Sequence, residues 1–265
     1  MRAKMQRFLA LLLAMCLLTG CQPTTNHPSK GANDTMLTQD QLRVLQLAGR
    51  PAAEDGAIFL PSSDRQLLAA ADFLWAYLAE KYPSHTFALL NCNPPSVITA
   101  HTSFSLCETS SPDAPFEVQV QRESDSAPFV ALDTFYPVLI LPEYRRAILA
   151  HVSPLFDNAA LLPRTEQFFG AQFTESTPLS EAMKLPFPGL RFDTWIFVYA
   201  PDMDAQRFDE AGKAIRQAIE TDGLRGDYTL CALAAPLPDD PGEPELRRLI
   251  RAQSFAHRCD WKVLP

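Results

Sequence analysis

The chain is 265 residues long, with 47% hydrophobic and 20% charged residues and a formal net charge of −8. This length and composition are enough for one large or two small domains with a substantial core. The acidic balance is poorly suited to phosphate binding, which requires clusters of Lys and Arg. Nucleic acid is therefore not an expected partner.

The first residues have the pattern of a secretory signal. Three basic residues, Arg2, Lys4 and Arg7, precede an uninterrupted apolar run over residues 8–18. The run is shorter than the roughly 20 apolar residues that a membrane-spanning helix needs, and it ends in small residues, as a processing site does. The sequence therefore predicts an exported chain whose residues 1–20 are a signal peptide.

The leader ends in Leu18-Thr19-Gly20-Cys21. This tetrapeptide resembles the lipobox of bacterial lipoproteins, in which the chain is cut before a cysteine that carries a diacylglyceryl group. The resemblance implies that Cys21 is the lipidated N-terminus of the mature protein. Two acyl chains would attach it stably to the lipid membrane, at the extracytoplasmic face of the cell membrane. A plain signal peptide or an uncleaved start is the alternative.

A flexible tether is predicted over residues 21–36. Positions 22–35 contain Pro, Ser, Gly and Asn but no large apolar side chain, so they cannot bury enough surface to offset the entropy of ordering. A flexible segment of this length spans about 20 Å. The leader holds three of the 23 Lys and Arg and none of the 31 Asp and Glu, so 20 basic and 31 acidic side chains remain after it.

Residues 37–160 form an N-terminal half with mixed secondary structure. Apolar spacing predicts a short helix near residues 37–47 and a longer one from Asp64, as a cap, to Tyr82. Strands are predicted over residues 85–92, 97–108 and 116–122, and the last of these alternates apolar and polar side chains. Residues 129–141 read as a further strand, followed by a helix from about Pro142. The pattern indicates an antiparallel sheet with helices packed on one face.

One helix of this half resembles a known group. Residues 74–82, which contain Tyr77-Leu78-Ala79-Glu80-Lys81-Tyr82, and the strand after them are similar to the Tyr-Leu-Glu-x-Lys-Tyr helix and following strand of small lipoproteins of Gram-positive type. The similarity extends over about residues 37–152. That group has no assigned activity, so the resemblance implies an architecture and a compartment without a chemistry. The aromatic rings of this helix are expected to lie in the core.

A loop-rich connection is predicted over residues 161–193, where prolines interrupt a set of phenylalanines. A connection of this length is either functional or wrongly assigned. Packing under the loop is the ordinary fate of such rings, and an exposed contact patch is the alternative. The phenylalanines are Phe168, Phe169, Phe173, Phe187 and Phe192.

Residues 194–265 predict a C-terminal β-α-β-like half, and the whole chain is therefore assigned to the α+β class. A strand over residues 195–200 precedes a helix capped by Asp202 or Asp204, and a second strand follows over residues 228–234. A strand, helix and strand within about 40 residues indicate a parallel crossover unit. A last helix and a last strand complete this half.

Four cysteines remain beyond the leader and Cys21: Cys92, Cys107, Cys231 and Cys259. An even number outside the cytoplasm suggests disulfides, and pairing within each half is favoured, Cys92 with Cys107 and Cys231 with Cys259. Free buried thiols are the alternative, because spacing alone does not determine pairing. The cysteines lack the close spacing of a zinc site, so neither a metal nor another cofactor is predicted.

The motifs of common catalytic sites are missing from the sequence. It contains no Gly-x-Ser-x-Gly, no phosphate-binding glycine loop, no His-Glu-x-x-His and no Ser-x-x-Lys. The favoured hypothesis is a non-enzymatic, lipid-anchored module that binds a cell-envelope protein or a small ligand. The alternative is an extracytoplasmic hydrolase whose residues meet only in the fold, for example Asp133, His101 and Ser103.

Overall fold

The computed structural model describes residues 37–50, 60–185, 189–239 and 241–264, which belong to one compact unit. The predicted signal peptide, Cys21 and the tether lie outside these residues. The elements, in chain order, are α1 (Gln39–Leu47), α2 (Ser62–Lys81), β1 (Phe87–Asn93), β2 (Thr102–Glu108), β3 (Ser111–Gln121), β4 (Val130–Asp133), α3 (Phe135–Val152), β5 (Ala159–Arg164), α4 (Leu179–Ala182), β6 (Phe192–Tyr199), α5 (Ala205–Thr221), β7 (Gly226–Leu233), α6 (Glu243–Ala252) and β8 (His257–Val263).

The first sheet is an antiparallel meander in the order β1-β2-β3-β4. Phe104, Val118 and Asp133 lie opposite one another on successive strands and are fully buried. Because side chains alternate along a strand, this register turns the other face of the sheet away from the core. Helices α2 and α3 both contact β3. The prediction of an antiparallel sheet with helices beside it is confirmed.

The second sheet has the order β5-β6-β7-β8. Strands β6 and β7 are parallel and are joined through α5, while β5 and β8 pair antiparallel at the two edges. Only one residue of β7, Asp227, is exposed, as expected for a central strand that is covered on both faces. The C-terminal β-α-β arrangement, and with it the α+β class, is confirmed.

A single large hydrophobic cluster runs through both sheets. It includes Leu74 of α2, Phe104 of the first sheet, Ile148 of α3 and Ile196 of the second sheet, all fully buried. A smaller cluster lies under α6, around Leu246, on the opposite face of the second sheet. Helix α3 contacts β3 and β5, and so contributes to the packing of both sheets.

The start of α3 differs from the prediction. Residues 129–141 were expected to form a strand, but β4 ends at Asp133 and the helix begins at Phe135. Pro137 lies in the first turn, where no intrahelical partner exists for a backbone N–H, so it does not disturb the helix. Pro142, expected to begin the helix, lies inside it and is exposed. Phe135, Tyr136 and Ile140 of this segment are buried in the core from a helix rather than from a strand.

The stretch expected to be a loop contains regular structure. Strand β5 and the short helix α4 lie within or next to residues 161–193. Phe169, Phe173 and Phe192 are fully or almost fully buried, so packing rather than an exposed patch is confirmed for these three rings. Phe168 is half-buried, and Phe187 lies outside the described residues.

The predicted helix caps have different outcomes. Asp204 caps α5 as predicted, with its Oδ1 accepting a hydrogen bond of 2.8 Å from the backbone N of Arg207. Helix α2 begins at Ser62 after Pro61, so Asp64 lies in its first turn and is not its cap. Among the helices of the described ranges, none is both long and apolar enough to cross a membrane.

Candidate functional site

An apolar groove of about 800 Å³ lies along the outer side of α3. The helix turns Val138, Leu139 and Leu149 toward it, at spacings that place them along one side of the helix. All three are only half-buried, although they also contact the main core. The opposite wall is formed by the end of β2 and the start of β3. The groove is therefore an apolar surface that the described fold leaves open.

Two arginines lie at the rim of this groove. Arg145 and Arg146 are both exposed, and neither forms an ion pair with an acidic side chain of the described ranges. Glu108, across the groove, is paired with His85. The combination of an apolar floor and unpaired guanidinium groups fits a ligand that has an apolar body and an anionic end.

A histidine links two acidic residues beside the groove. His85 Nδ1 lies 2.8 Å from Glu108 Oε1, and its Nε2 lies 3.8 Å from Glu175 Oε2. Glu175 also accepts hydrogen bonds from the backbone N and the hydroxyl of Ser84, at 3.0 and 2.8 Å. The bond from His85 holds the pKa of Glu108 below its usual value, and the bonds from Ser84 do the same for Glu175. This cluster connects the segment around Glu175 to the first sheet.

The most deeply buried ion pair of the described residues joins Lys81 and Asp133, 2.6 Å apart. Their side chains are 3% and 0% exposed. Lys81 Nζ also donates to the backbone oxygens of Phe169 and Gly170, at 3.2 and 2.6 Å. Asp133 and Phe169 exchange two backbone hydrogen bonds as well. The pair thus joins the end of α2, strand β4 and the segment after β5.

Two tyrosines complete this buried cluster. Tyr77 OH donates to Asp133 Oδ2 at 2.5 Å, and Tyr82 OH donates to Asp133 Oδ1 at 2.9 Å. Burial, together with the adjacent carboxylate, raises the pKa of both phenols above the ordinary range. Burial lowers the pKa of Lys81, and the Asp133 charge acts in the opposite direction. Asp133 Oδ1 also accepts from the backbone N of Phe135, at the start of α3. The carboxylate is saturated with donors, which favours a structural role.

The structure does not bring together Asp133, His101 and Ser103. Asp133 lies on the core face of the first sheet, opposite Val118, and its oxygens are occupied by the buried cluster. Ser103 lies opposite Gln119 and so points to the other face of the same sheet. The arrangement suggested for the alternative hypothesis is therefore not formed.

The four predicted disulfide cysteines are free thiols. Cys92 lies opposite Phe104 of β2, and Cys107 is three residues further along that strand. The two cysteines are therefore about 10 Å apart along the sheet, which exceeds the span of a disulfide. Cys231 contacts the small cluster under α6, whereas Cys259 contacts the main core on the other face of the second sheet. Neither of the favoured pairings is formed in this conformation. Burial raises the pKa of Cys92 and of Cys231 to about 12.

The groove and the buried cluster were both missed by sequence reasoning. The groove depends on residues of α3, which were assigned in part to a strand. The polar residues of the buried cluster on α2, Tyr77, Lys81 and Tyr82, belong to the helix motif that carries the family resemblance. Tyr77 and Lys81, four residues apart, lie on the same side of the helix, which was a signal for a shared partner, but the sequence does not identify that partner as Asp133.

Comparisons with known proteins give no family. No protein-family model and no curated protein matches the chain. Among solved structures, the chain is similar to the crystal structure of a DUF5037 family protein from Ruminococcus gnavus ATCC 29149, with a TM-score of 0.38 and 13% identity over 70% of this chain and 87% of that chain. A likeness at this level supports no conclusion about function.

Proposed function

We propose that the protein is a lipid-anchored, extracytoplasmic binding module of the cell envelope, and that the groove along α3 is its ligand site. The single observation that supports binding most directly is the open apolar groove of about 800 Å³ with two unpaired arginines at its rim. A groove of this size is in the range of small-molecule sites, which are mostly apolar with a few polar groups that fix orientation.

The proposed ligand is a small amphiphile with an apolar body and a carboxylate or phosphate end. Its apolar part would cover Val138, Leu139 and Leu149, and its anionic end would lie against Arg145 and Arg146. Arginine binds such groups through two parallel N–H donors, which provides orientation as well as affinity. Arg145 and Arg146 are adjacent in sequence and both line the groove, so two positive charges lie close together there.

The groove is tested with 1-anilinonaphthalene-8-sulfonate, a fluorescent probe that is both apolar and anionic. Ala150→Trp places a large ring in the groove and should weaken probe binding about tenfold or more. Replacing Arg145 and Arg146 by Ala should weaken it about three- to tenfold, because charge-assisted bonds are lost. Fluorescence titration measures both effects.

Helix α6 provides matched control variants. Arg251→Ala and Ala252→Trp make the same types of substitution, with one arginine replaced rather than two, at exposed helical positions away from the groove, and they should leave the affinity unchanged. Equal probe affinity in all of these variants would contradict a ligand site along α3.

The anchor is supported by the lipobox resemblance at Cys21 and is tested by mass spectrometry of the N-terminal peptide from membrane fractions. The wild type should begin at Cys21 and carry the mass of a diacylglyceryl group. Cys16→Ser, a matched change inside the leader, should leave the modification intact, whereas Cys21→Ser should remove it. An intact, unmodified leader on the wild type would refute the anchor.

A further inference from the structure

The loop between β1 and β2 presents two large apolar side chains to solvent. Val97 is 106% exposed and Ile98 is 94% exposed, more than any other large hydrophobic residue of the described chain. At the base of the loop, Pro94, Pro95 and Ala100 line a surface pocket whose other side includes Phe129. The two side chains therefore form a convex tip.

Hydrogen bonds fix the conformation of this tip. Ser96 Oγ accepts from the backbone N of Ile98 at 3.2 Å and of Thr99 at 3.1 Å, and Ser96 N donates to the carbonyl oxygen of Thr99 at 2.9 Å. Pro94 and Pro95, just before the turn, have restricted backbone angles. The loop is thus preorganised, so little conformational entropy is lost when the tip enters another phase.

The loop itself carries no charge, and the charged side chains lie in the pocket at its base. Residues 94–100 contain no charged side chain. At the same end of the sheet, Arg50 is paired with Asp64 and Arg122 is paired with Asp125. Insertion of the two tip residues therefore requires no desolvation of an ionised group of the loop itself.

We infer that Val97 and Ile98 insert into the interfacial region of the lipid bilayer, as a second contact beside the acyl anchor. This inference rests on the proposed lipid anchor, because a predicted tether of about 20 Å would keep the folded part close to the membrane. A convex tip of two side chains is too small for a stable protein interface, which buries about 800 Å² on each partner. A bilayer accepts apolar side chains without requiring a complementary shape.

The test places an environment-sensitive fluorophore on the tip. Ile98→Cys is made in a Cys259→Ala background, so that the half-exposed native thiol does not react. The full, lipid-modified chain is labelled with nitrobenzoxadiazole and reconstituted in phosphatidylcholine vesicles that contain brominated acyl chains. Leu264→Cys, at the exposed end of the chain after β8, is the matched control. Emission from position 98 should shift to the blue and be quenched about twofold or more relative to position 264.

The outcomes separate this inference from the proposed function. A chain that carries no lipid or does not remain on the vesicles refutes the anchor. A chain that is anchored, but whose label at position 98 is as exposed to water as that at position 264, overturns insertion. Shielding of position 98 that occurs only in native membranes and not in pure lipid also overturns it, and indicates a groove on a membrane protein instead.

Discussion

The side chain of Asp133 connects the end of α2 to the start of α3. Its two oxygens accept hydrogen bonds from Lys81, Tyr77 and Tyr82 and from the backbone N at the start of α3. A buried ion pair is weak evidence for net stability in itself, but removal of one partner leaves the other charge buried without compensation. The effect of Asp133 on the free energy of unfolding is therefore measured by replacing it.

We expect Asp133→Ala to lower the free energy of unfolding by about 3–5 kcal/mol, because Lys81 would keep only neutral partners, the Tyr77 hydroxyl and two carbonyl oxygens. Urea unfolding of the mature chain measures the change. The control is Asp125→Ala, which removes a carboxylate that is 85% exposed and paired with Arg122, and it should have an effect below about 1 kcal/mol. Similar effects of the two substitutions would contradict the expected cost of leaving the Lys81 charge buried without its carboxylate partner.

Sequence reasoning at this scale identified residues but not their partners. It selected Asp133 as a candidate site residue, and it placed the rings of the motif helix in the core. It could not determine that Tyr77, Lys81 and Tyr82 converge on Asp133, because the contact joins positions about 50 residues apart. The cysteine pairings have the same limit, since strand register decides which face each thiol occupies.

At the scale of elements, the sequence predicted most helices and strands but misassigned α3 and β5. Residues 129–141 are apolar without a clear period, so propensity favoured a strand, whereas tertiary packing between two sheets favours a helix. The prolines added to the error, because Pro137 is harmless in a first turn and Pro142 is tolerated on an exposed face. The groove could not be predicted for the same reason, since its lining requires residues 138–149 to be helical.

The packing of α5 against β8 gives a test at this scale. A Cβ added at Gly212 would lie 2.9 Å from Cys259 Sγ, closer than carbon and sulfur approach without displacement. Alanine improves helix propensity by about 1 kcal/mol, while overpacking costs about 1–3 kcal/mol. We therefore expect Gly212→Ala to destabilise the fold by about 1 kcal/mol as the net effect, measured by urea unfolding.

The matched background is Cys259→Ala, which removes the sulfur. In that background the same Gly212→Ala change should become stabilising, by up to about 1 kcal/mol, so that the double-mutant cycle gives a large coupling. A stabilising Gly212→Ala in the presence of Cys259 would mean that the helix and the strand are not in close contact.

At the scale of the whole molecule, the composition predicted a substantial core and an acidic surface, and the pattern predicted the α+β class. The division of the chain into an N-terminal and a C-terminal half was drawn from the order of the elements. The structure adds that the main hydrophobic cluster contains residues of both halves, with α3 contacting both sheets. A hydrophobic cluster that contains residues of both halves cannot be predicted from the sequence pattern, because the apolar spacing within each half is explained by its own helices and strands.

The continuous core has a practical consequence for dissecting the protein. A fragment that ends after β4, or one that begins at β5, would present to water the apolar face that the missing portion normally covers. Neither fragment is then a sensible unit for expression, and the two together still lack α3, which contacts both sheets. A fragment that folds on its own must therefore contain α3 together with both sheets that it contacts.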